Sequence, residues 1–144
     1  MAIELTPEVI DRLASGRSAW LTTVAKSGQP VPRLVWFYFD GAGIFVYTMP
    51  DALRVRHIKN NPLVSLHLDS DGRDRGVVII GGPAHIDTIG VDMRQDEPYW
   101  TKYLDHAIEM GINNDMVADY HMRLRIDIQK VWTTPPEALL TDGD

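Results

Sequence analysis

Apolar positions follow a helical period over the first fifteen residues and a period of two over most of the rest. Val9, Ile10 and Leu13 form a stripe behind Thr6-Pro7-Glu8. Thr6 is placed to cap a helix, Pro7 suits its first turn, Glu8 faces the positive end of its dipole and Gly16 stops it. Ser18 to Ala25 then reads as a strand, and Lys26-Ser27-Gly28-Gln29-Pro30 as a hairpin turn. Val31 to Phe39 alternates, with Val31, Arg33, Val35, Phe37 and Phe39 on one face and Leu34, Trp36 and Tyr38 on the other. Asp40-Gly41-Ala42-Gly43 turns the chain into Ile44–Thr48, so three consecutive antiparallel strands are expected.

A short helix follows over Ala52–Lys59, with Asp51 as its expected cap and Asn60-Asn61-Pro62 as its stop. Leu63–Leu68 predicts a fourth strand, Asp69–Gly76 a polar loop and Val77–Ile86 a fifth strand. Gly81-Gly82-Pro83 inside the last implies a bulge or a close backbone approach. Tyr99, Tyr103 and Ala107, spaced by four, mark a helix over Pro98–Met110, and Asn113 or Asn114 caps a shorter one reaching about His121. Met122 to Gln129 alternates as a sixth strand; Val131–Thr133 extends it or forms a seventh, and Pro135-Pro136 ends the ordered fold. Short strands without a βαβ rhythm predict a mainly β (α+β) antiparallel barrel, one domain over residues 1–144.

Composition narrows the chemistry. The 144 residues are 44% apolar and 24% charged, which suits a globular core. No cysteine is present, which removes disulfides and thiolate chemistry. A net charge of −6 disfavours a broad nucleic-acid surface. With no apolar run long enough to span a bilayer, neither membrane nor nucleic acid is an expected partner, and the expected location is the cytoplasm.

The main chemical signal is Arg54-Val55-Arg56-His57-Ile58-Lys59. Arg54 and His57 share one helical face, Arg56 and Lys59 the next. Three permanent cations beside a helix N-terminus suit a phosphate or polycarboxylate, although charge spacing alone equally describes a solvated basic face. A second signal is aromatic: Trp20, Trp36, Tyr38, Tyr99, Trp100, Tyr103 and Trp132 wall a ring site, form a core or cement an interface. The five histidines show no metal-ligand spacing, so no metal site is expected. Gly-x-Ser-x-Gly and phosphate-loop motifs are missing, as is a Gly-x-Gly-x-x-Gly at a helix start.

Over Ala19–Leu68 the chain resembles the pyridoxamine-phosphate-oxidase-like split-barrel proteins, in particular their actinobacterial flavin/deazaflavin oxidoreductase branch. The resemblance is carried in order by Ala19-Trp20-Leu21-Thr22-Thr23-Val24, Gly28-Gln29-Pro30-Val31-Pro32, Val35-Trp36-Phe37, Ile44-Phe45-Val46-Tyr47-Thr48, the basic helix and Asn61-Pro62-Leu63-Val64-Ser65-Leu66. It extends more weakly through Gly82-Pro83-Ala84 and Met122–Gln129. It implies a split β-barrel of six to seven strands and a homodimer holding coenzyme F420, or FMN, at the subunit interface. It further implies hydride transfer between reduced deazaflavin and an unsaturated small-molecule substrate. Arg54, Arg56 and Lys59 would meet the cofactor's anionic tail, and Pro32, Arg33, Val35, Trp36, Tyr47, Thr48 and Met49 would flank its ring. His57 stands where relatives often carry asparagine. Trp100 and Trp132 are the interface candidates; Tyr47, His57 and Tyr99 are the candidate proton donors, and no catalytic residue is assigned. A non-catalytic carrier of a cofactor or haem is the alternative from outside enzymology.

Overall fold

The computed structural model describes residues 3–112 and 114–134. Among the described residues, eight strands form one curled antiparallel sheet in the order β2-β1-β5-β6-β7-β4-β3, with β8 also paired to β6. The strands are β1 (Ala19–Val24), β2 (Pro30–Val35), β3 (Tyr38–Phe39), β4 (Gly43–Thr48), β5 (Leu63–His67), β6 (Val77–Ile89), β7 (Met122–Asp127) and β8 (Lys130–Thr134). The helices described beside them are α1 (Pro7–Ser15), α2 (Leu53–Asn60), α3 (Glu97–Glu109) and α4 (Asn114–Ala118). The α+β antiparallel barrel expected from the pattern, in the split form implied by the resemblance, is therefore present, with one strand more than the upper expectation among the described residues.

Local chemistry explains most boundaries. Thr6 caps α1 by accepting the Val9 N–H at 3.3 Å. Val9 and Leu13, four apart, are buried, whereas Ile10 turns outward and is 44% exposed. The β1–β2 hairpin follows its predicted turn, where Gly28 takes a φ of +91° that a side chain would resist. β1 and β7 alternate between buried and half-buried positions, as a sheet with one core face requires.

The differences have identifiable causes. Asp51 does not cap the basic helix; α2 starts at Leu53 behind Ala52, with no side chain satisfying its first turn. The expected Val31–Phe39 strand breaks between Val35 and Tyr38. There the Phe37 N–H donates to the Tyr103 hydroxyl at 2.7 Å, and its carbonyl accepts from that hydroxyl at 2.5 Å and from the Lys102 ammonium at 2.7 Å. Tertiary partners thus replace the ladder bonds at the break. β6 runs on to Ile89, past the predicted Ile86, through a register shift between Ile86 and Thr88. Val131–Thr133 belongs to the separate strand β8, because the chain bends at residues 128–129. A 3-10 turn, Met93–Gln95, precedes α3 without having been expected, and α4 ends at Ala118, short of the predicted His121. The expected Asn113 cap and the Pro135-Pro136 stop lie outside the described residues.

The glycine pair in β6 is a close approach. A Cβ on Gly82 would lie 1.9 Å from the Asp127 carbonyl oxygen, and one on Gly81 2.9 Å from the Trp132 ring. The bend between β7 and β8 thus rests on β6, where the Gln129 N–H reaches the Gly81 carbonyl at 3.0 Å.

Two apolar clusters result. One packs the sheet against α1 and α2, with Leu13, Leu21, Phe37, Leu66, Ile80, Leu124 and Ile126 among its members. The other joins Tyr47 to Met93, Tyr99, Tyr103 and Val117 under α3 and α4, with Trp36 packed against it.

Candidate functional site

Two clefts meet at Arg54. The first, about 240 Å³, is walled by Val35, Trp36, Tyr47 and Tyr99 on the barrel side and by Met110, Ile112, Met116 and Tyr120 on the side of α3 and α4. The second, about 330 Å³, is lined by Thr23, Val31, Arg33, Ala52, Leu53, Arg54 and His57. One is mostly apolar; the other carries two guanidinium groups and an imidazole. They lie along the same strand, since β2 contributes Val31 and Arg33 to the second and Leu34 and Val35 to the first.

Arg54 is half-buried at the junction. Burial pushes its pKa below the ordinary arginine value, the phenol of Tyr120 opposes this, and the charge of Arg33 pushes it further down. It stays a cation, since guanidinium does not deprotonate in proteins. Its ionised form is nonetheless disfavoured in the free protein. An anion placed between Arg33 and Arg54 would relieve both the desolvation and the repulsion. The neighbouring imidazole is held in place, with His57 Nδ1 2.8 Å from Thr23 Oγ1.

The walls of the first cleft are locked from behind. Tyr47 is buried and its hydroxyl donates to Asp96 Oδ2 at 2.8 Å; that carboxylate also meets Arg123 at 3.2 Å, and Arg123 in turn pairs with Asp87 at 2.7 Å. Burial, reinforced by the Asp96 carboxylate, raises the Tyr47 pKa, so its proton stays on the phenol. Tyr99 is fully buried and stands edge-on to Tyr47, ring centres 4.7 Å apart. Burial raises its pKa as well. Trp36 stacks on Tyr103 at 4.5 Å with planes 3° apart. Tyr103 holds the Phe37 peptide on both sides, which fixes where β2 leaves the sheet and therefore where Trp36 stands.

Lys102 belongs to the same clamp, with its ammonium 3.9 Å from the centre of the Phe37 ring. Burial lowers its pKa from the ordinary 10.5 to about 8. In the unfolded chain the ordinary value returns, so between pH 8 and 10.5 the unfolded state binds the extra proton. Stability contributed through this group therefore rises with pH across that window, and the full cost of burying the ammonium is felt below it. Urea unfolding of wild type and Lys102→Met at pH 7.5 and 10 should show the difference moving in favour of wild type at the higher pH. An absent change would mean that the ammonium is fully hydrated, and an opposite one that the Phe37 carbonyl stabilises it more than burial costs.

Of the predicted site residues, Val35, Trp36, Tyr47 and Arg54 line the first cleft, and Arg33 and Arg54 the second. Pro32, Arg56 and Lys59 are exposed and line neither. Thr48 is buried, its hydroxyl donating to the Met49 carbonyl at 3.4 Å, and Met49 is half-buried outside both clefts. Of the candidate proton donors, Tyr47 and Tyr99 face the first cleft and His57 the second. Trp100 is half-buried against the second apolar cluster, and Trp132 is half-buried over Gly81. Sequence reasoning missed Asp96 and Arg123, which hold Tyr47, the Lys102–Tyr103 clamp, and the methionine wall. Only the wall had a readable signal: Met110, Ile112, Met116 and Tyr120 follow an amphipathic helix without adding to its buried stripe. Among the described residues, no three His, Cys, Asp or Glu come together to hold a metal ion, and no helix is long and apolar enough to cross a membrane.

A curled antiparallel sheet with an aromatic cleft beside a basic one defines a split-barrel protein whose site suits a ligand that is flat at one end and anionic at the other. The chain belongs to the pyridoxamine 5'-phosphate oxidase family, whose pattern matches residues 5–135. The pyridoxine/pyridoxamine 5'-phosphate oxidase of Edwardsiella ictaluri is 37% identical over 71 residues, 49% of this chain and 33% of that protein. The matched region thus spans about a third of the length of the curated relatives. Among solved structures, an FAD-binding protein of Mesorhizobium loti is 25% identical with a TM-score of 0.65, covering 91% of this chain and 96% of its own. An F420 reductase is similar at 21% identity and a TM-score of 0.62, covering 84% and 93%; at that identity the likeness is one of fold.

Proposed function

We propose that this protein is an F420-dependent oxidoreductase that transfers hydride between the reduced deazaflavin and an unsaturated organic substrate, working as a homodimer with the cofactor at the subunit interface. One observation carries the reading: half-buried Arg54 joins an aromatic cleft to a basic one. A tricyclic ring with a phosphodiester and carboxylate tail has the same two-part chemistry.

The residues present fit such a group. Trp36, Tyr47 and Tyr99 offer flat apolar walls, and Arg33 and Arg54 offer paired cations for a phosphate. Exposed Arg56 and Lys59 add positive potential at longer range and carry the outer part of the tail. When bound, the deazaflavin supplies the hydride chemistry. The chain's part is to hold the ring edge against Trp36, keep water from the buried face and present neutral phenols rather than phenolates there. Asp96 keeps the Tyr47 proton in place, which leaves Tyr47 a wall and a hydrogen-bonding group rather than a base.

A flavin such as FMN is the second reading, and the likeness to the FAD-binding protein of Mesorhizobium loti, which covers nearly the same length of chain, supports a flavin in general. Parallel titration of purified protein with F420 and FMN, followed by fluorescence, separates the two. F420 binding at least ~10-fold tighter, a gap of about 1.4 kcal/mol, supports the proposal. Tighter FMN binding makes the protein a small flavin oxidoreductase, and no saturable binding of either defeats both readings.

A further inference from the structure

The outer wall of the aromatic cleft is built mostly from exposed apolar side chains. Met110, Met116 and Tyr120 are 60%, 50% and 39% exposed, yet they converge with Ile112 on one concave surface. Large apolar side chains left exposed around a hollow mark a ligand contact more often than scattered ones do. Among the described residues lining this cleft, Arg54 is the only charged one. The segment that builds the wall, residues 104–120, carries Asp105, Glu109, Asp115 and Asp119 and neither lysine nor arginine. None of these four carboxylates lines the cleft, and their charge disfavours a second anion beside it.

Resting on the cofactor reading above, we propose that the substrate is an uncharged, planar and mostly apolar molecule seated against Met110, Ile112 and Met116. A phosphorylated pyridoxine-type molecule is disfavoured by this chain's own lining of the cleft. A phosphate dianion held in an apolar cleft needs several donors or cations, and the one cation here is engaged by the cofactor's anionic group. The acidic wall segment adds repulsion to that lack. Two methionines, flexible and polarisable, adapt to flat substrates of differing outline, so discrimination rests on charge more than on shape.

The test uses the full chain without cofactor, its methionine methyl groups labelled with carbon-13 and assigned by single Met→Leu variants. Titration with benzylideneacetone, a planar uncharged enone, should shift the Met110 and Met116 methyl signals saturably while Met122, buried elsewhere in the core, stays still. Pyridoxine 5'-phosphate at the same concentrations should leave Met110 and Met116 unmoved, and Met116→Glu should weaken enone binding about tenfold or more. Shifts from pyridoxine 5'-phosphate equal to or larger than those from the enone overturn the proposal, as does an enone that moves neither signal. F420 and FMN are titrated into the same labelled sample. If neither binds while the enone does, the cofactor reading fails and the apolar wall stands.

Discussion

Gly82→Ala is expected to destabilise the fold by more than about 3 kcal/mol, a loss reached when overpacking meets a rigid backbone. The added methyl carbon would sit 1.9 Å from the Asp127 carbonyl oxygen, far inside any van der Waals contact. No side-chain rotation relieves it, because the opposing atoms are the Asp127 carbonyl and the Gln129 amide. Either β6 moves away from the β7–β8 bend or the bend gives up the Gln129-to-Gly81 hydrogen bond. Both disturb strands that pair with β6 over most of its length. Thermal unfolding followed by circular dichroism should show the midpoint falling by roughly 10 °C or more. A control exists in Gly28→Ala, where a Cβ meets nothing within 4 Å and the cost is the left-handed backbone alone, about 1–2 kcal/mol. If the two variants are equally stable, the chain does not cross over Gly82 as described.

The second large effect is on ligand affinity. Arg54→Ala should weaken binding of the anionic cofactor about 10- to 100-fold, the range for losing one charge-assisted hydrogen bond of about 1.5–3 kcal/mol. The loss acts on both clefts, since Arg54 lines both. Arg54→Lys should recover only part of it, because a point charge replaces a planar fork. Arg56→Ala and Lys59→Ala, at exposed positions, should each cost less than about threefold at physiological salt, where exposed charges are screened within about 8 Å. Far-UV circular dichroism confirms that the variants are folded before affinity is compared. An Arg54→Ala protein that binds as tightly as wild type removes the basic cleft from the site. A ranking in which Lys59→Ala costs most would move the anion to the outer face of α2.

Much of the fold could be read from the chain because its cause is local. Thr6, Pro7 and Glu8 specify the start of α1 through hydrogen bonding, ring geometry and dipole, whatever lies elsewhere. Alternation in Met122–Gln129 could only mean a strand with one buried face, and β7 is that strand. Gly81-Gly82 announced a bulge or a close approach, because glycines inside an apolar strand have few other uses, and the structure shows the approach. Which segment would approach was invisible, since Asp127 and Trp132 come from a strand pairing some fifty residues away.

The failures share the opposite cause. Val31–Phe39 alternates like one strand and is broken by Tyr103 and Lys102, side chains on α3 that capture the Phe37 peptide. Asp51 has the right chemistry for a cap, and the helix nonetheless starts later. At the site, the sequence grouped cations by proximity along α2. Space grouped Arg54 with Arg33, twenty-one positions earlier, and left Arg56 and Lys59 outside both clefts.

By itself, then, the sequence determined the strand-rich class, the first helix, the hairpin turns and the aromatic and basic residues from which a site can be built. Those follow from periodicity and local hydrogen bonding, which act over a few residues. Tertiary structure alone decided which cation faces which cleft, how firmly the buried phenols keep their protons and where the second strand breaks. Burial and long-range pairing set each of these, and neither has a signature in the neighbouring residues.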